Sequence, residues 1–218
     1  MSPTERTTLP QASIPGPLGR NSERGRILDA AANYLATHGF ERLPAAVLAQ
    51  DSGIPEARLK QHFPTEEALF ASTLNLVDAK NITAYFAGAK GRGWAGLEAW
   101  APLLDAVVHQ PGALQLYSTM RAQAGDREHP AHGWVTTHRD LCVDVLQHAM
   151  LTGIDAGEMD PSIPVDLVAY QMIAMTEGVQ LHWLSSGGRA KQGEPIRAFV
   201  ENLRYRYGVP PHQDQSGD

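Results

Sequence analysis

The sequence contains a single cysteine, Cys142. One thiol cannot form a disulfide within the chain, and it cannot supply a cysteine-based metal cluster. Long apolar runs are also missing, since no uninterrupted stretch approaches the roughly 20 residues that a membrane-spanning helix needs. The N-terminus lacks a basic stretch followed by an apolar one, so no secretory signal is predicted. We therefore expect a cytoplasmic protein that does not act in a membrane.

Basic residues are in short supply. The chain of 218 residues has 18 lysines and arginines against 24 aspartates and glutamates, which gives a formal charge of −6. Taken alone, this balance argues against a nucleic-acid binder, which usually carries a basic surface. Residues 1–70 contain seven basic and eight acidic residues, so most of the negative charge lies after residue 70. The hydrophobic fraction of 43% is typical of a globular protein.

Alternating strand patterns are scarce as well. Apolar residues recur at helical spacing nearly everywhere between residues 21 and 208, which predicts an all-α fold with about nine helices. The segments 1–20 and 209–218 differ from this pattern, because they contain proline or polar residues and few large apolar ones. We expect a flexible arm and a flexible tail there.

The segment 27–70 combines a helix, two short helices and a further helix. Gly53 lies at the tight turn between the short helices, Ile54 fills the corner between them, and Leu59 anchors the second one to the core. Two short helices that meet at a glycine-containing turn form a helix-turn-helix, whose second helix can enter the major groove of DNA. Thr65 is placed to cap the helix that follows.

The spacing of these residues resembles the DNA-binding domain of the TetR family, the tetracycline-repressor-like regulators. The positions that carry the resemblance are Ile27, Ala30, Ala31, Gly39, Phe40, Leu48, Ala49, Gly53, Ile54, Leu59, His62, Phe63, Pro64, Glu67, Ala68 and Leu69. Three later segments, which begin at Pro111, Gly153 and Ile173, resemble the ligand-binding domain of a large subgroup of these regulators. The resemblance therefore covers most of the chain.

The resemblance implies a three-helix DNA-binding domain over residues 21–68 and a larger helical domain over residues 69–208 that binds a ligand and dimerises. It also implies a homodimer, formed through the helices near 164–186 and 194–207, that binds a pseudo-palindromic operator in double-stranded DNA. The implied function is that of a repressor that a small molecule releases. The helix from Thr65 to about Ala87 would link the ligand site to the DNA-binding domain.

The recognition helix departs from the family pattern in its charges. Lys60 stands where the family has an aromatic residue and Arg58 where it has a short hydroxyl residue, and both favour contacts to phosphate or guanine. Glu56 and Glu66 repel phosphate. The residues predicted to contact DNA are Arg24, Ala45, Glu56, Ala57, Arg58, Lys60, Gln61, His62 and Thr65.

The second half of the chain is rich in tryptophan, methionine and histidine, which suits a concave pocket for a small apolar or amphipathic effector. Any one of these side chains could equally be an ordinary core residue. Glu177 lies within an apolar helix, so we expect it either to face the pocket or to pair across the dimer. The predicted ligand contacts are Trp100, Leu104, Met120, Trp134, His138, Met172, Met175 and Glu177.

The sequence offers little evidence for metal binding or catalysis. His129, His132 and His138 lack a completing carboxylate pattern, and Pro130 breaks the helical register of the first two, so no metal site is predicted. No nucleophile–base set, phosphate-binding glycine loop or pair of carboxylates stands out. We therefore predict no cofactor, no catalytic residue and no enzymatic activity.

Two other functions fit the same residues. The nearly neutral DNA-binding domain would also suit a helical small-molecule-binding protein or enzyme whose degenerate helix-turn-helix no longer binds DNA. The predicted dimer helices would also suit a protein-interaction module. Salt-dependent binding to a palindromic DNA would disprove the first alternative. A monomer in light scattering would argue against the second, and against a dimeric regulator.

Overall fold

A computed structural model describes residues 22–40, 43–86 and 91–210, without the side chains of residues 81–86. Apart from one isolated bridge between Met159 and Gly208, these ranges contain no β-structure. Their helices are α1 (Glu23–His38), α2 (Ala45–Ser52), α3 (Glu56–His62), α4 (Glu66–Phe86), α5 (Gly93–Glu98), α6 (Trp100–Val107), α7 (Pro111–Gln123), α8 (Ala131–Asp155), α9 (Val165–Ser185) and α10 (Gly193–Tyr207).

The predicted all-α fold is confirmed. The structure has ten helical segments where about nine were expected, because α5 and α6 are separated by a break at Ala99. Pro102 explains the break, since it has no N–H to bond the carbonyl of Glu98. None of the helices in the described ranges has the length and apolar character needed to cross a membrane. The predicted arm 1–20 and the tail from residue 211 lie outside the described residues.

Helices α1 to α3 form a compact unit, which we call the head. Ser22 caps α1, since its Oγ accepts a hydrogen bond of 3.0 Å from the Gly25 N–H. Between α2 and α3, Gly53 takes a left-handed conformation with φ of 68°, which glycine adopts without steric cost. This turn brings Ile54 between the two helices, where it is buried. The predicted roles of Gly53 and Ile54 in a helix-turn-helix are confirmed.

The apolar core of the head extends beyond α3. Leu69 and Leu74 of α4 belong to the same buried cluster as Ile27 of α1, and so do Leu116 and Met120 of α7. We call this cluster the head core. The predicted domain boundary at residue 68 falls inside it, so the base of the second domain packs as one body with the head.

Helix α7 lies directly against α1. A Cβ on Gly112 would lie 2.9 Å from the backbone of Gly39 and would collide with the carbonyl of Leu35. Beside this contact, the Phe40 N–H donates a hydrogen bond of 2.7 Å to Oε1 of Gln115. Glycine at position 112 is therefore what allows the two helices to approach so closely.

A second buried cluster, the distal core, joins α5, α6, α8, α9 and α10. Its fully buried members include Leu97, Leu146, Met150, Met172 and Ile196. This cluster shares no residue with the head core. The molecule therefore has two cores, and α8 contributes buried residues to both.

One face of α9 carries large apolar side chains in solvent. Leu167 and Tyr170 are each 56% exposed and Leu181 is 63% exposed. Ala174 and Gly178 lie between them at helical spacing, so the five residues form one stripe along the helix. An exposed apolar stripe of this kind indicates a surface that another protein chain covers.

Candidate DNA-binding surface and ligand cavity

The recognition helix α3 has one buried apolar residue, and most of its other side chains are exposed to solvent. Leu59 is buried in the head core and holds the helix in place. His62, at the end of the helix, is half-buried, and Thr65 beyond it is exposed. The exposed residues of α3 are Glu56, Ala57, Arg58, Lys60 and Gln61. Seven of the nine predicted DNA contacts thus lie together on one short segment.

Two basic side chains of α3 share one carboxylate oxygen of α1. Arg58 Nη2 donates to Oε2 of Glu23 at 2.6 Å, and His62 Nε2 lies 2.8 Å from the same oxygen. The hydrogen bonds from His62 and Arg58 lower the pKa of Glu23, so this carboxylate is ionised at neutral pH. Arg58 also approaches Oε1 of Gln61 at 3.4 Å. The first turn of α1 therefore contacts the surface predicted to meet DNA.

Arg24 is directed into the protein. Its Nη1 donates to the carbonyl oxygen of His62 at 2.9 Å, and its Nη2 donates to Oγ of Ser72 at 2.8 Å. Its guanidinium also lies 4.3 Å from the ring centroid of Phe63. Arg24 therefore ties the end of the recognition helix to α1 and α4. A contact between Arg24 and DNA stays a prediction, and the contacts within the protein give it a positioning role.

Two of the predicted DNA contacts, Ala45 and Thr65, lie at the starts of helices. Ala45 is the first residue of α2, is half-buried, and follows Pro44, which provides no side-chain cap. Thr65 caps α4, because its Oγ1 accepts a hydrogen bond of 3.2 Å from the Ala68 N–H. The predicted capping role of Thr65 is confirmed, and the DNA contacts of both residues stay predictions.

A cavity lies where the two cores meet. Its apolar wall comes from α6, α8 and α9, and α4 and α7 add polar side chains on the side of the head. Four of the predicted ligand contacts line it, namely Trp100, Leu104, His138 and Glu177.

His138 is held from four sides. Its Nδ1 lies 3.2 Å from Oδ2 of Asp78, and its Nε2 lies 3.7 Å from Sγ of Cys142. Its ring stacks on Trp134 with centroids 5.1 Å apart, and the ring of Tyr117 meets it edge-on at 5.3 Å. A thiol, an imidazole and a carboxylate thus lie in a row in the wall of the cavity.

The charges at this end of the cavity depend on one another. Burial by itself would lower the pKa of His138, but Cys142 and Asp78 outweigh burial and raise it to about 9. Burial raises the pKa of Asp78, and the charge of His138 opposes that rise. Burial also raises the pKa of Tyr117, so its phenol keeps its proton. The raised pKa of His138 therefore favours its protonated form at neutral pH.

Further polar contacts lie on the α9 side of the cavity. Glu177 forms an ion pair with Arg121 of α7. The Trp100 indole N–H donates a hydrogen bond of 2.8 Å to Oγ1 of Thr176. Glu177 lines the cavity, and its pairing across a dimer stays a prediction.

The other four predicted ligand contacts do not line the cavity. Met120 is buried in the head core, Met172 is buried in the distal core, and Met175 packs against the distal core. Trp134 lies outside the lining, and its indole N–H donates to Oδ1 of Asn75 at 2.8 Å. Their placement does not support direct ligand contact, because methionine fills irregular core gaps as readily as it lines pockets.

The sequence analysis missed Asp78, Tyr117 and Cys142. Two of them left a signal: Asp78 is a carboxylate that follows apolar residues in a helix and so needs a partner, and Cys142 lies one helical turn after His138. No sequence signal marks Tyr117, since a tyrosine on a helix is equally compatible with a position in the core and a position in a cavity wall. The thiol–imidazole–carboxylate row was missed because Asp78 is on a different helix from the other two.

The remaining histidines near the start of α8 have local contacts. His129 Nδ1 accepts a hydrogen bond of 3.1 Å from the Ala131 N–H. His132 Nδ1 lies 2.8 Å from the carbonyl oxygen of Ala124. In the described part of the chain, no group of three or more histidine, cysteine or acidic side chains is arranged to hold a metal ion.

Comparison with known proteins adds an independent line of evidence. No protein-family model matches the sequence. The HTH-type transcriptional repressor KstR2 of Mycobacterium tuberculosis is 29% identical over 182 residues, which cover 77% of this chain and 84% of that protein. A TetR-family transcriptional regulator from Rhodococcus sp. superposes with a TM-score of 0.66 at 20% identity, over 86% of this chain and 98% of that one. A transcriptional regulator from Saccharomonospora viridis in complex with choline superposes with a TM-score of 0.62 at 17% identity, over 85% and 97%.

A helix-turn-helix head with an exposed recognition helix, joined to a larger helical body with a cavity, is the architecture of the transcriptional regulators that this chain is similar to. The superposition covers nearly the full length of the structural relatives. The chain is similar in sequence to a curated transcriptional repressor and shares its fold with TetR-family transcriptional regulators. The resemblance seen in the sequence is confirmed.

Proposed function

We propose that this protein is a repressor that binds a pseudo-palindromic operator as a homodimer and leaves it when a small molecule occupies the cavity. The observation that carries the proposal is the position of α4. This helix begins directly after the recognition helix, and its Asp78 lines the cavity. DNA at α3 and a ligand in the cavity therefore act on the same helix.

Two polar contacts join α4 to α8 and supply the route between the sites. The Asp78 carboxylate meets His138 inside the cavity wall. One turn nearer the head, Asn75 accepts the hydrogen bond from Trp134. A ligand that weakens the first contact would shift α4 against α8 and move α3 with it. The operator affinity changes by as much as the ligand prefers one arrangement over the other.

The apolar stripe on α9 supports a homodimer. Leu167, Tyr170 and Leu181 would be buried by a second copy related by a two-fold axis. Gly178 lies within the stripe, and a Cβ there would meet nothing within 4 Å in the chain itself, so a partner helix has room to approach. A two-fold dimer presents two recognition helices to a pseudo-palindromic site.

The cavity suits a small, mainly apolar effector with at least one polar group. Its apolar lining includes Leu103, Val107 and Leu141, and its polar groups are concentrated near His138 and Glu177. One structural relative was solved in complex with choline, so a chain of this fold takes up a small organic molecule.

Selection of DNA duplexes from a random pool by the purified protein tests operator binding. We expect one pseudo-palindromic sequence to be enriched. If Arg58 reads a guanine, Arg58→Ala should weaken binding to it by about 1–3 kcal/mol in a gel-shift titration. Failure to enrich any sequence would favour the alternative of a helical binding protein with a degenerate helix-turn-helix.

The single cysteine allows a direct test of the effector site. Cys142 lines the cavity, so a compound bound there should protect it from alkylation by N-ethylmaleimide, which intact-mass spectrometry measures. We expect compounds that protect Cys142 to release the selected operator as well. Protection without any release would contradict the proposed coupling between the cavity and the head.

A further inference from the structure

The head carries an acidic side chain that contacts its own predicted DNA-contacting residues. Oε2 of Glu23 receives the hydrogen bonds of Arg58 and His62, two of the three basic side chains of α3. The third, Lys60, has no ion-pair partner among the residues that the structure describes. One carboxylate oxygen thus binds side chains of the recognition helix that are predicted to contact DNA.

The first turn of α1 holds Glu23 in this position from both sides. Ser22 caps the turn, and Arg24 anchors it to the carbonyl oxygen of His62 at the end of the recognition helix. The contact of Glu23 is still open to solvent, since the side chain of Arg58 is 51% exposed and that of Glu23 is 34% exposed. An approaching DNA backbone can therefore reach the same donors.

Carboxylate and phosphate oxygens accept the same charge-assisted hydrogen bonds from guanidinium and imidazole groups. A phosphate that binds Arg58 or His62 must therefore displace Glu23 or lie beside its negative charge. Either event weakens the contacts of Arg58 and His62 with the DNA backbone, whatever the base sequence is.

We propose that Glu23 is an internal competitor of the DNA backbone, which lowers the affinity of the head for DNA of arbitrary sequence. The inference rests on the proposed function as an operator-binding regulator and adds a specificity-determining residue to it. Non-specific binding depends almost wholly on phosphate contacts, whereas operator binding also has base contacts. Glu23 therefore raises the ratio of operator affinity to non-specific affinity.

Glu23→Gln tests the inference, because it removes the charge and keeps an oxygen that can accept a hydrogen bond. The probe is a fluorescently labelled duplex of arbitrary sequence, titrated by anisotropy at several sodium chloride concentrations. We expect binding about fivefold tighter at low salt, the effect of one unit charge at contact distance in water. The slope of log K against log salt should steepen by about 0.9 for one added phosphate contact.

Two controls separate this contact from a general effect of charge. Asp51 is an exposed carboxylate of α2 for which the described residues show no ion pair, so Asp51→Asn changes the net charge of the head equally. We expect it to tighten binding by clearly less than Glu23→Gln does. The gain from Glu23→Gln should also shrink strongly in an Arg58→Gln background, and circular dichroism verifies that each variant is folded.

Three results would overturn the inference. Glu23→Gln binding equal to or weaker than wild type would show that Glu23 positions Arg58 for DNA or does nothing. An equal gain in Asp51→Asn, or a gain that persists without Arg58, would leave only net charge as the cause. If the wild type enriches an operator and any of these results appears, this inference alone fails. If the wild type binds no DNA, the proposed function fails.

Discussion

The ion pair beside the recognition helix and the ion pair beside the cavity lie in different environments. In the head, Glu23, Arg58 and His62 meet at the surface. In the distal half, Asp78 and His138 meet in the wall of a cavity. The exposed pair can be reached by a large charged molecule such as the proposed DNA. The pair in the cavity wall can be reached only by a molecule small enough to enter the cavity.

The two ion pairs also differ in the free energy that is lost when they are broken. Solvent-exposed ion pairs contribute about 0–1 kcal/mol, so a DNA phosphate can replace Glu23 at little cost. Removing one partner of a buried pair costs about 3–5 kcal/mol, because the other charge is left without compensation. A ligand therefore has to satisfy His138 or Asp78 itself if it separates them.

The largest expected effect tests whether dimerisation through the distal half is needed for strong DNA binding. Gly178→Leu fills the α9 stripe with a bulky side chain, while the chain itself offers no atom within 4 Å of the new Cβ. We expect a folded monomer in light scattering and an operator affinity lowered by about 10²–10⁴-fold, because two linked heads bind far better than one.

Gly133→Leu is the matched control for that experiment. Gly133 is exposed on α8, and a Cβ there also meets nothing within 4 Å. This variant should stay dimeric and bind the operator as the wild type does. A dimeric Gly178→Leu protein would place the dimer interface elsewhere.

The next effect concerns the pH dependence of the cavity pair. The pKa of His138 in the folded protein, about 9, lies above its ordinary value of 6.5, so the folded state binds the proton more tightly. This stabilisation is complete below about pH 6.5 and is lost as pH rises through about 9. We expect the free energy of unfolding in urea to fall by on the order of 3 kcal/mol across that window.

His138→Gln is the variant that isolates this effect. It cannot take up a proton, so its free energy of unfolding should change much less between the same two pH values. A wild-type curve as flat as that of the variant would contradict the raised pKa of His138.

A smaller effect tests the continuity between the head and the body. Gly112→Ala places a methyl group against the backbone of α1, so we expect a loss of about 1–3 kcal/mol in the free energy of unfolding. Gly133→Ala is the control, and it should be neutral or stabilising by up to about 1 kcal/mol, since alanine favours an exposed helix position. Equal stability of the two variants would show that α7 and α1 adjust independently.

The smallest effect concerns a helix cap in the head. Thr65→Ala removes the oxygen that accepts from the Ala68 N–H, and we expect a loss of about 1 kcal/mol in thermal unfolding. Thr65→Ser keeps the oxygen and should retain most of the stability. A DNA contact by the Thr65 hydroxyl would appear as a loss of operator affinity in Thr65→Ala that Thr65→Ser does not share.

The head could be predicted from the sequence because its signals are local. Gly53, Ile54 and Leu59 act within a few residues of one another, and their spacing alone indicates the turn and the anchor of the recognition helix. The contact between Glu23 and Arg58 could not be predicted, because it depends on how α1 packs across the end of α3.

The cavity was predicted only in part, since composition does not separate core from cavity. Met172 and Trp100 both lie on helices of the distal core, but Met172 is completely buried and Trp100 reaches the cavity. Which side of a helix faces an open space is set by the packing of α4, α6, α8 and α9 together. The spacing of residues along a single helix cannot predict that packing arrangement.

The close approach of α7 to α1 at Gly112 has a mechanical consequence. Helix α7 carries Tyr117 in the cavity wall and, through Gly112 and Gln115, bears on the end of α1. Two separate helices, α4 and α7, thus connect the cavity to the head. Two helical connections restrict the movement of the head more than one connection would. The contact of α7 with the end of α1 therefore restrains rotation of the head about the axis of α4.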